Sequence, residues 1–322
     1  IYHPRGHPFL SGSTALQSAV NCVTPIYTLQ EGKVSIESIA FSPDGTFLAF
    51  ASEDGALQVW RMEDRSLVFE GKVSAPKDGR FSSDIAFSSD GSLLAFGASD
   101  GRIWIWGTED WEPLRILEGH SAKICDLAFS PTGQMLASAG WDHKIRLWEP
   151  TTGHLLRIVE VRGKVQSIAF SPDGAFLAAG GMDGIIWLWR AGDGSLEREF
   201  QVRGVQSPVL SLAFSPDGTL LAAGTAINWI QLWSVKDHTL LPGMTSPRWG
   251  GMNDVAFSPD GRKLASGNAG HEIQVWRVPE GDLITAIQGH TDTVTSIALS
   301  PDGRRATQMP TQMVVAEASA RP

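Results

Sequence analysis

The chain is poor in the residues that usually carry covalent or redox chemistry. Its 322 residues include two cysteines, Cys22 and Cys125, too few for a disulfide framework or a four-cysteine zinc site. Cys125 stands in the apolar stretch Ile124-Cys125-Asp126-Leu127-Ala128-Phe129, where a buried thiol behaves as a small hydrophobe. No apolar run is long enough to encode a membrane-spanning helix. Cations are in the minority, with Lys plus Arg at 26 against 35 Asp plus Glu for a net charge of −9. That balance argues against bulk attraction to nucleic acid or to an anionic membrane surface. A phosphate loop, a dinucleotide fingerprint, a Gly-x-Ser-x-Gly elbow and a calcium loop are all missing. We therefore expect no cofactor, no metal and no catalytic residue. His3 and His7 have i, i+4 spacing, but in a Pro- and Gly-rich terminus they read as unstructured rather than as ligands. Scarce cysteine favours the cytoplasm; the first residue is Ile1 and not Met, so an export signal removed in processing stays open as an alternative.

What the chain has in plenty is turn-formers: 34 Gly and 18 Pro, beside 12 Trp. One tetrapeptide recurs, as Ser42-Pro43-Asp44-Gly45, Ser88-Ser89-Asp90-Gly91, Ser130-Pro131-Thr132-Gly133, Ser171-Pro172-Asp173-Gly174, Ser215-Pro216-Asp217-Gly218, Ser258-Pro259-Asp260-Gly261 and Ser300-Pro301-Asp302-Gly303. A period of forty-odd residues means a repeat architecture. Before each turn apolar residues alternate, as in Ile36-Glu37-Ser38-Ile39-Ala40-Phe41, which predicts a strand. The tetrapeptide fits a tight hairpin: Ser bonds nearby amides, Pro presets φ, and Gly takes the positive φ. After it comes an unalternating apolar strand such as Phe47-Leu48-Ala49-Phe50-Ala51, suited to burial on both faces. A second turn, usually Asp-Gly (Asp54-Gly55, Asp100-Gly101, Asp183-Gly184; Asp142-His143 in the third unit), leads to a third strand ending in Trp60, Trp106, Trp148, Trp189, Trp233 or Trp276. A fourth strand follows, such as Leu155-Leu156-Arg157-Ile158-Val159. Four short antiparallel strands per unit make one sheet per repeat, and stacking the sheets around an axis buries both faces of each.

These units resemble the tryptophan–aspartate (WD) repeat β-propellers, whose repeats carry Gly-His, a Ser-Pro-Asp-Gly-like turn and a strand ending in Trp-Asp. Here the final pair has decayed to Trp60-Arg61, Trp106-Gly107, Trp148-Glu149, Trp189-Arg190, Trp233-Ser234 and Trp276-Arg277, and Gly-His survives at Gly119-His120 and Gly289-His290. The resemblance implies an all-β, seven-bladed propeller over residues 26–303, with four-stranded antiparallel blades. Six blades are regular and one is closed from both chain ends: its first strand is Val294–Leu299 and its fourth Ile26–Leu29. Its middle strands could come from the segment 1–25, where Leu10–Ser13 and Ala15–Gln17 echo strands of the sixth unit, or from the tail 304–322. We favour the first and expect the tail to hang loose. The family's structural hydrogen-bond chain is complete only in the third unit, as His120, Ser138, Asp142 and Trp148. A buried polar chain tying loops to a sheet suits these residues better than a catalytic dyad does.

In this family one face, formed by the links between blades and the turns between second and third strands, commonly binds peptides or proteins. The alignment places Arg80, Lys123, Arg162, Lys164, Arg203 and Arg248 there, with Trp141, Trp229 and Trp249 on it or close by. Arg and Trp are frequent at binding hot spots, and cations on an acidic protein suit an acidic or phosphorylated peptide. The resemblance thus implies a non-catalytic, monomeric scaffold for protein or peptide partners. One alternative is a sensor or regulatory domain of a larger protein. Another is a propeller enzyme with a central-channel site. Apolar inner strands (Ile39-Ala40-Phe41, Ile85-Ala86-Phe87, Leu212-Ala213-Phe214) argue against the last, which a perturbed-pKa cluster in the channel or a bound metal would reopen.

Overall fold

Each Ser-Pro-Asp-Gly turn is a self-contained hydrogen-bonded unit. In the first, the Ser42 hydroxyl donates to Asp44 Oδ1 at 2.5 Å and accepts from the Phe47 N–H at 2.9 Å. Gly45 N donates to the Ser42 carbonyl at 2.8 Å. Gly45, Gly91, Gly133, Gly174, Gly218 and Gly261 all have φ between 69° and 73°, a region that costs a side-chain-bearing residue roughly 1–2 kcal/mol. The turn therefore fixes the hairpin register, as in Ile39 opposite Phe50.

A computed structural model describes residues 23–31, 36–72, 84–203, 207–246, 250–288, 293–302, 305–308 and 312–318. Six four-stranded antiparallel sheets follow one another, each with its strands in chain order. Their first strands are Ile36–Phe41, Asp84–Phe87, Ile124–Phe129, Val165–Phe170, Val209–Phe214 and Met252–Phe257. The protein is an all-β propeller, and we number these sheets blades 1 to 6. In blade 5 the fourth strand shrinks to Met244–Thr245, because Pro242 precedes it and a proline cannot donate to a ladder.

The core lies between blades rather than within them. Ala49, Ala51, Leu57 and Val59 of blade 1 pack on Ile85, Leu94, Phe96 and Trp106 of blade 2. Blades 3 and 4 meet through Ile145, Leu147, Val165, Ile168, Trp187 and Trp189. Second strands are buried throughout, as in Leu93–Gly97 and Leu136–Gly140, which is why they carry unbroken apolar runs. Outer strands such as His154–Glu160 are mostly exposed.

A further four-stranded sheet joins the two ends of the chain. In spatial order it contains Val23–Glu31, Gln312–Ala318, Arg305–Gln308 and Ile297–Leu299. Its middle places are thus filled from the tail, contrary to our expectation that residues 304–322 hang loose. Adjacency explains the difference: the segment following the seventh turn pairs directly with the strand preceding it. Pro310 falls between the two tail strands and so interrupts neither. The stretch Leu10–Gln17, with His3, His7 and Cys22, lies outside the described residues.

Candidate partner-binding face

A belt of hydroxyls and carboxylates rings the axis on the face formed by the inter-blade links. It takes one residue from the first strand of each blade, Ser38, Asp84, Asp126, Ser167, Ser211 and Asp254, and then Ser296. Each of the first six accepts a backbone N–H from the next sheet, and Ser296 Oγ donates to Asp254 Oδ2 at 3.2 Å. Ile85 N donates to Ser38 Oγ at 3.3 Å, Leu127 N to Asp84 Oδ2 at 2.8 Å, and Ile168 N to Asp126 Oδ2 at 2.6 Å. Leu212 N donates to Ser167 Oγ at 3.0 Å, Val255 N to Ser211 Oγ at 3.2 Å, and Ile297 N to Asp254 Oδ2 at 2.8 Å. Where Ser precedes Asp, the hydroxyl also donates forward, at 2.6 Å from Ser38 to Asp84 and 2.8 Å from Ser211 to Asp254.

The belt lines a funnel of about 310 Å³, together with Glu37, Cys125, Gln166 and Asn253. The channel mouth is therefore polar, which corrects the reading of the inner strands as simply apolar. The apolar residues of those strands face the neighbouring blades, and the belt position between them faces the axis. Burial pushes Asp254 up to about 6. Asp84 and Asp126 are both raised, first by burial, and for Asp126 also by the neighbouring Asp84 charge. Burial also raises Glu37, reinforced by the charge of Glu53. The carboxylates are half-buried and open toward solvent, which tempers all these shifts. These raised acids are the perturbed cluster that reopens the central-channel reading; against it, Asp84, Asp126 and Asp254 already accept inter-blade N–H donors, and among the described residues no group of three or more His, Cys, Asp or Glu could hold a metal. Cys125 is half-buried rather than fully buried, and burial pushes its thiol up to about 12, leaving no thiolate nucleophile at neutral pH.

The described cations lie in the links between blades. Lys123 precedes the first strand of blade 3, Lys164 that of blade 4, and Trp141 sits in the turn between them. Lys123 Nζ lies 3.9 Å and Lys164 Nζ 4.1 Å from the Trp141 ring centroid. Two ammoniums held on one indole repel each other by about 0.5 kcal/mol in bulk water and more at lower effective dielectric. Two backbone bonds hold the arrangement: Trp141 N donates to the Lys123 carbonyl at 3.0 Å and Met182 N to the Lys164 carbonyl at 2.9 Å. Arg162, in the same link as Lys164, is exposed. Arg203 is anchored by its backbone to Gln231, at 2.9 and 3.0 Å, and shares a hollow of about 180 Å³ with Trp229, Leu241 and Met244. Among the described residues none of Lys123, Arg162, Lys164 and Arg203 forms an ion pair, as is also true of Arg115, Arg157, Arg198, Lys236, Arg262 and Lys263; the shared indole sets Lys123 and Lys164 apart. Arg80, Arg248 and Trp249 lie outside the described residues. Sequence reasoning missed Met182 and Ile227, which are 38% and 41% exposed on turns equivalent to that of Trp141. An apolar residue in a turn carries no pattern to mark it.

A buried network fastens the Trp141 turn to its blade. His120 Nδ1–H donates to Asp142 Oδ1 at 2.9 Å, Ser138 Oγ–H to His120 Nε2 at 2.8 Å, and Trp148 Nε1–H to Ser138 Oγ at 2.9 Å. The indole can only donate, which leaves the Ser138 proton free for His120, and the Arg146 guanidinium also lies 2.8 Å from His120 Nδ1. Arg146 Nη1 donates to Asp142 Oδ2 at 2.8 Å. Burial lowers His120, with a contribution from the Arg146 charge. Burial alone would raise Asp142, but His120, Arg146 and the Ser121 N–H together hold it low. The side chain of His120 is 0% exposed and Ser138 is 0% exposed, so no substrate reaches the hydroxyl. The network is structural.

Repeated four-stranded sheets around an axis, with this turn and this buried chain, define a repeat propeller whose distinctive chemistry lies in its loops. The chain belongs to the WD domain, G-beta repeat family, whose model matches residues 23–61, 73–107, 111–149, 152–190, 195–234, 244–277 and 281–308. No functionally curated protein matches it significantly. Each match begins near the outer strand of one sheet and ends in the next, so the repeat unit and the blade are offset by one strand. Propellers of this family are typically protein-interaction scaffolds without catalytic activity of their own.

Proposed function

We propose that the chain is a non-catalytic scaffold that captures an acidic segment of a partner protein on the link face of blades 3 to 5. The observation that carries this reading is the set of four cations, Lys123, Arg162, Lys164 and Arg203, without an ion-pair partner among the described residues, two of them gathered on Trp141. Loops held by a rigid scaffold suit binding, and unpaired cations beside an aromatic anchor suit an anionic partner. Arg80, Arg248 and Trp249 extend the same proposal from the sequence. We further propose that the ring has seven blades, the last being the sheet shared by the two chain ends. Supporting contacts run from that sheet to blade 1: Thr295 Oγ1 donates to the Ile36 carbonyl at 2.8 Å, and a Cβ on Gly45 would lie 3.6 Å from Pro301. The latter matches the 3.6 Å that relates Gly91 to Pro43 between blades 1 and 2.

Fluorescence polarisation with a labelled glutamate-rich peptide pool tests the binding reading. Binding should weaken steeply with salt, and the R162S/R203S/R248S variant should lose about tenfold or more in affinity. Unchanged affinity in that variant would sink it.

A further inference from the structure

We propose that Lys123, Trp141 and Lys164 form a clamp for a phosphorylated side chain, presented by a peptide with an apolar residue nearby. The inference deepens the acidic-segment reading and rests on it. The two lysines occupy equivalent places in consecutive blades, immediately before the first strands Ile124–Phe129 and Val165–Phe170. The indole between them holds each ammonium about 4 Å from its centroid. A cation above a ring spends one side on the π face and leaves N–H donors turned outward. The two ammoniums lie within about 8 Å of each other, so a dianion that hydrogen-bonds to one stands in the field of the other.

The funnel does not supply that anion. Glu37 feels the field of Lys123 yet forms no ion pair with it, and Asp126 hydrogen-bonds to Asp84 instead. Burial moves Glu37, Asp84 and Asp126 alike toward their neutral forms. Among the described residues no carboxylate forms an ion pair with either lysine, and Lys164 is exposed. A single carboxylate would compensate one of them; a phosphate monoester, at about −1.5 to −2 near neutral pH, compensates both. Lysine binds phosphate as a point charge and needs no planar fork, so two lysines from different blades suffice. Beside the clamp, Met182 is joined to Lys164 through its backbone N–H and is 38% exposed; Ile227 of blade 5 is 41% exposed. These side chains offer a shelf for an apolar neighbour of the phosphorylated residue.

The test compares three fluorescein-labelled peptide pools, identical except for a central phosphoserine, glutamate or serine between randomised positions. Binding is measured on the full chain, with thermal melting to confirm folding. The phosphoserine pool should bind about tenfold more tightly than the glutamate pool. That preference should vanish in K123S/K164S, and largely in the milder K164S, whose site is solvent-exposed, while K144S on the outer side of blade 3 keeps it. Equal binding of phosphoserine and glutamate pools, lost in R162S/R203S, would overturn the clamp and leave the acidic-segment reading standing. A phosphoserine preference that survives K123S/K164S would also overturn the clamp. If no pool binds, both readings fall.

Discussion

Ser138 has one oxygen and two obligations, accepting from the Trp148 indole and donating to His120. Replacing it with Ala removes both bonds and leaves the indole N–H and the imidazole Nε2 buried without partners. Each orphaned group costs about 1–3 kcal/mol. S138A should therefore lower stability by roughly 2–5 kcal/mol in denaturant unfolding, and an unchanged midpoint would remove the network from the account of blade 3. The four members of that chain were legible because the third unit keeps all four residue types at the family's positions. Arg146 was not, since a cation in a third strand looks like an outward-facing residue until Asp142 is found beside it at 2.8 Å. The lysine pair was legible only as charge: that Lys123 and Lys164 share one ring depends on how neighbouring blades are rotated, which no single repeat encodes.

At the scale of strands and turns, the belt shows how a blade grips the next one. Serine and aspartate alternate irregularly at one position, and both accept the neighbour's N–H, as Ser167 does from Leu212 and Asp254 from Ile297. They differ in what protons do to them. Asp254 has an ordinary value of 3.8 that burial raises to about 6. A raised carboxylate favours folding fully below the unfolded value, and that contribution is lost as pH rises from about 4 through about 6. The full shift corresponds to about 3 kcal/mol by the usual conversion, and exposure to solvent reduces it, so about half is a reasonable expectation. D254S keeps an acceptor for Ile297 and has no charge to bury. It should be at least as stable as the parent at pH 7 and should lose the decline between pH 4 and 6, as read by chemical denaturation across that range. A decline of the same size in both proteins would show that Asp254 titrates as an exposed acid. The turn tetrapeptides and the apolar second strands were plain in the sequence, because both are local. The belt was not: a Ser or Asp inside an inner strand passes for the solvent side of an alternating pattern, and its partner lies some forty residues away.

For the whole molecule, the repeat count and the stacking of sheets followed from the period alone, while the seam did not. Two stretches carried comparable strand-like echoes, and pattern similarity favoured residues 10–17; chain adjacency instead placed the tail beside Ile297–Leu299. In the seven-bladed ring proposed above, the tail is a structural part. Val294 and Ile297 are 0% and 6% exposed and pack with Ala265 and Ile273 of blade 6. Without residues 304–322 the strand Ile297–Leu299 has no partner in its own sheet, and Val23–Glu31 loses the pairing it makes with Gln312–Ala318. Releasing Val294 and Ile297 alone costs about 1.5–3 kcal/mol each, with unpaired backbone groups in addition. Truncation after residue 303 should therefore lower the melting temperature by several degrees or more and open the ring between blades 6 and 1, visible as faster amide exchange at Ile36–Phe41. Removing residues 1–22 takes away no strand of this sheet and should leave that exchange unchanged. The reverse result, with the tail dispensable and the first 22 residues essential, would return the middle strands to the N-terminal segment and with them the sequence-based preference.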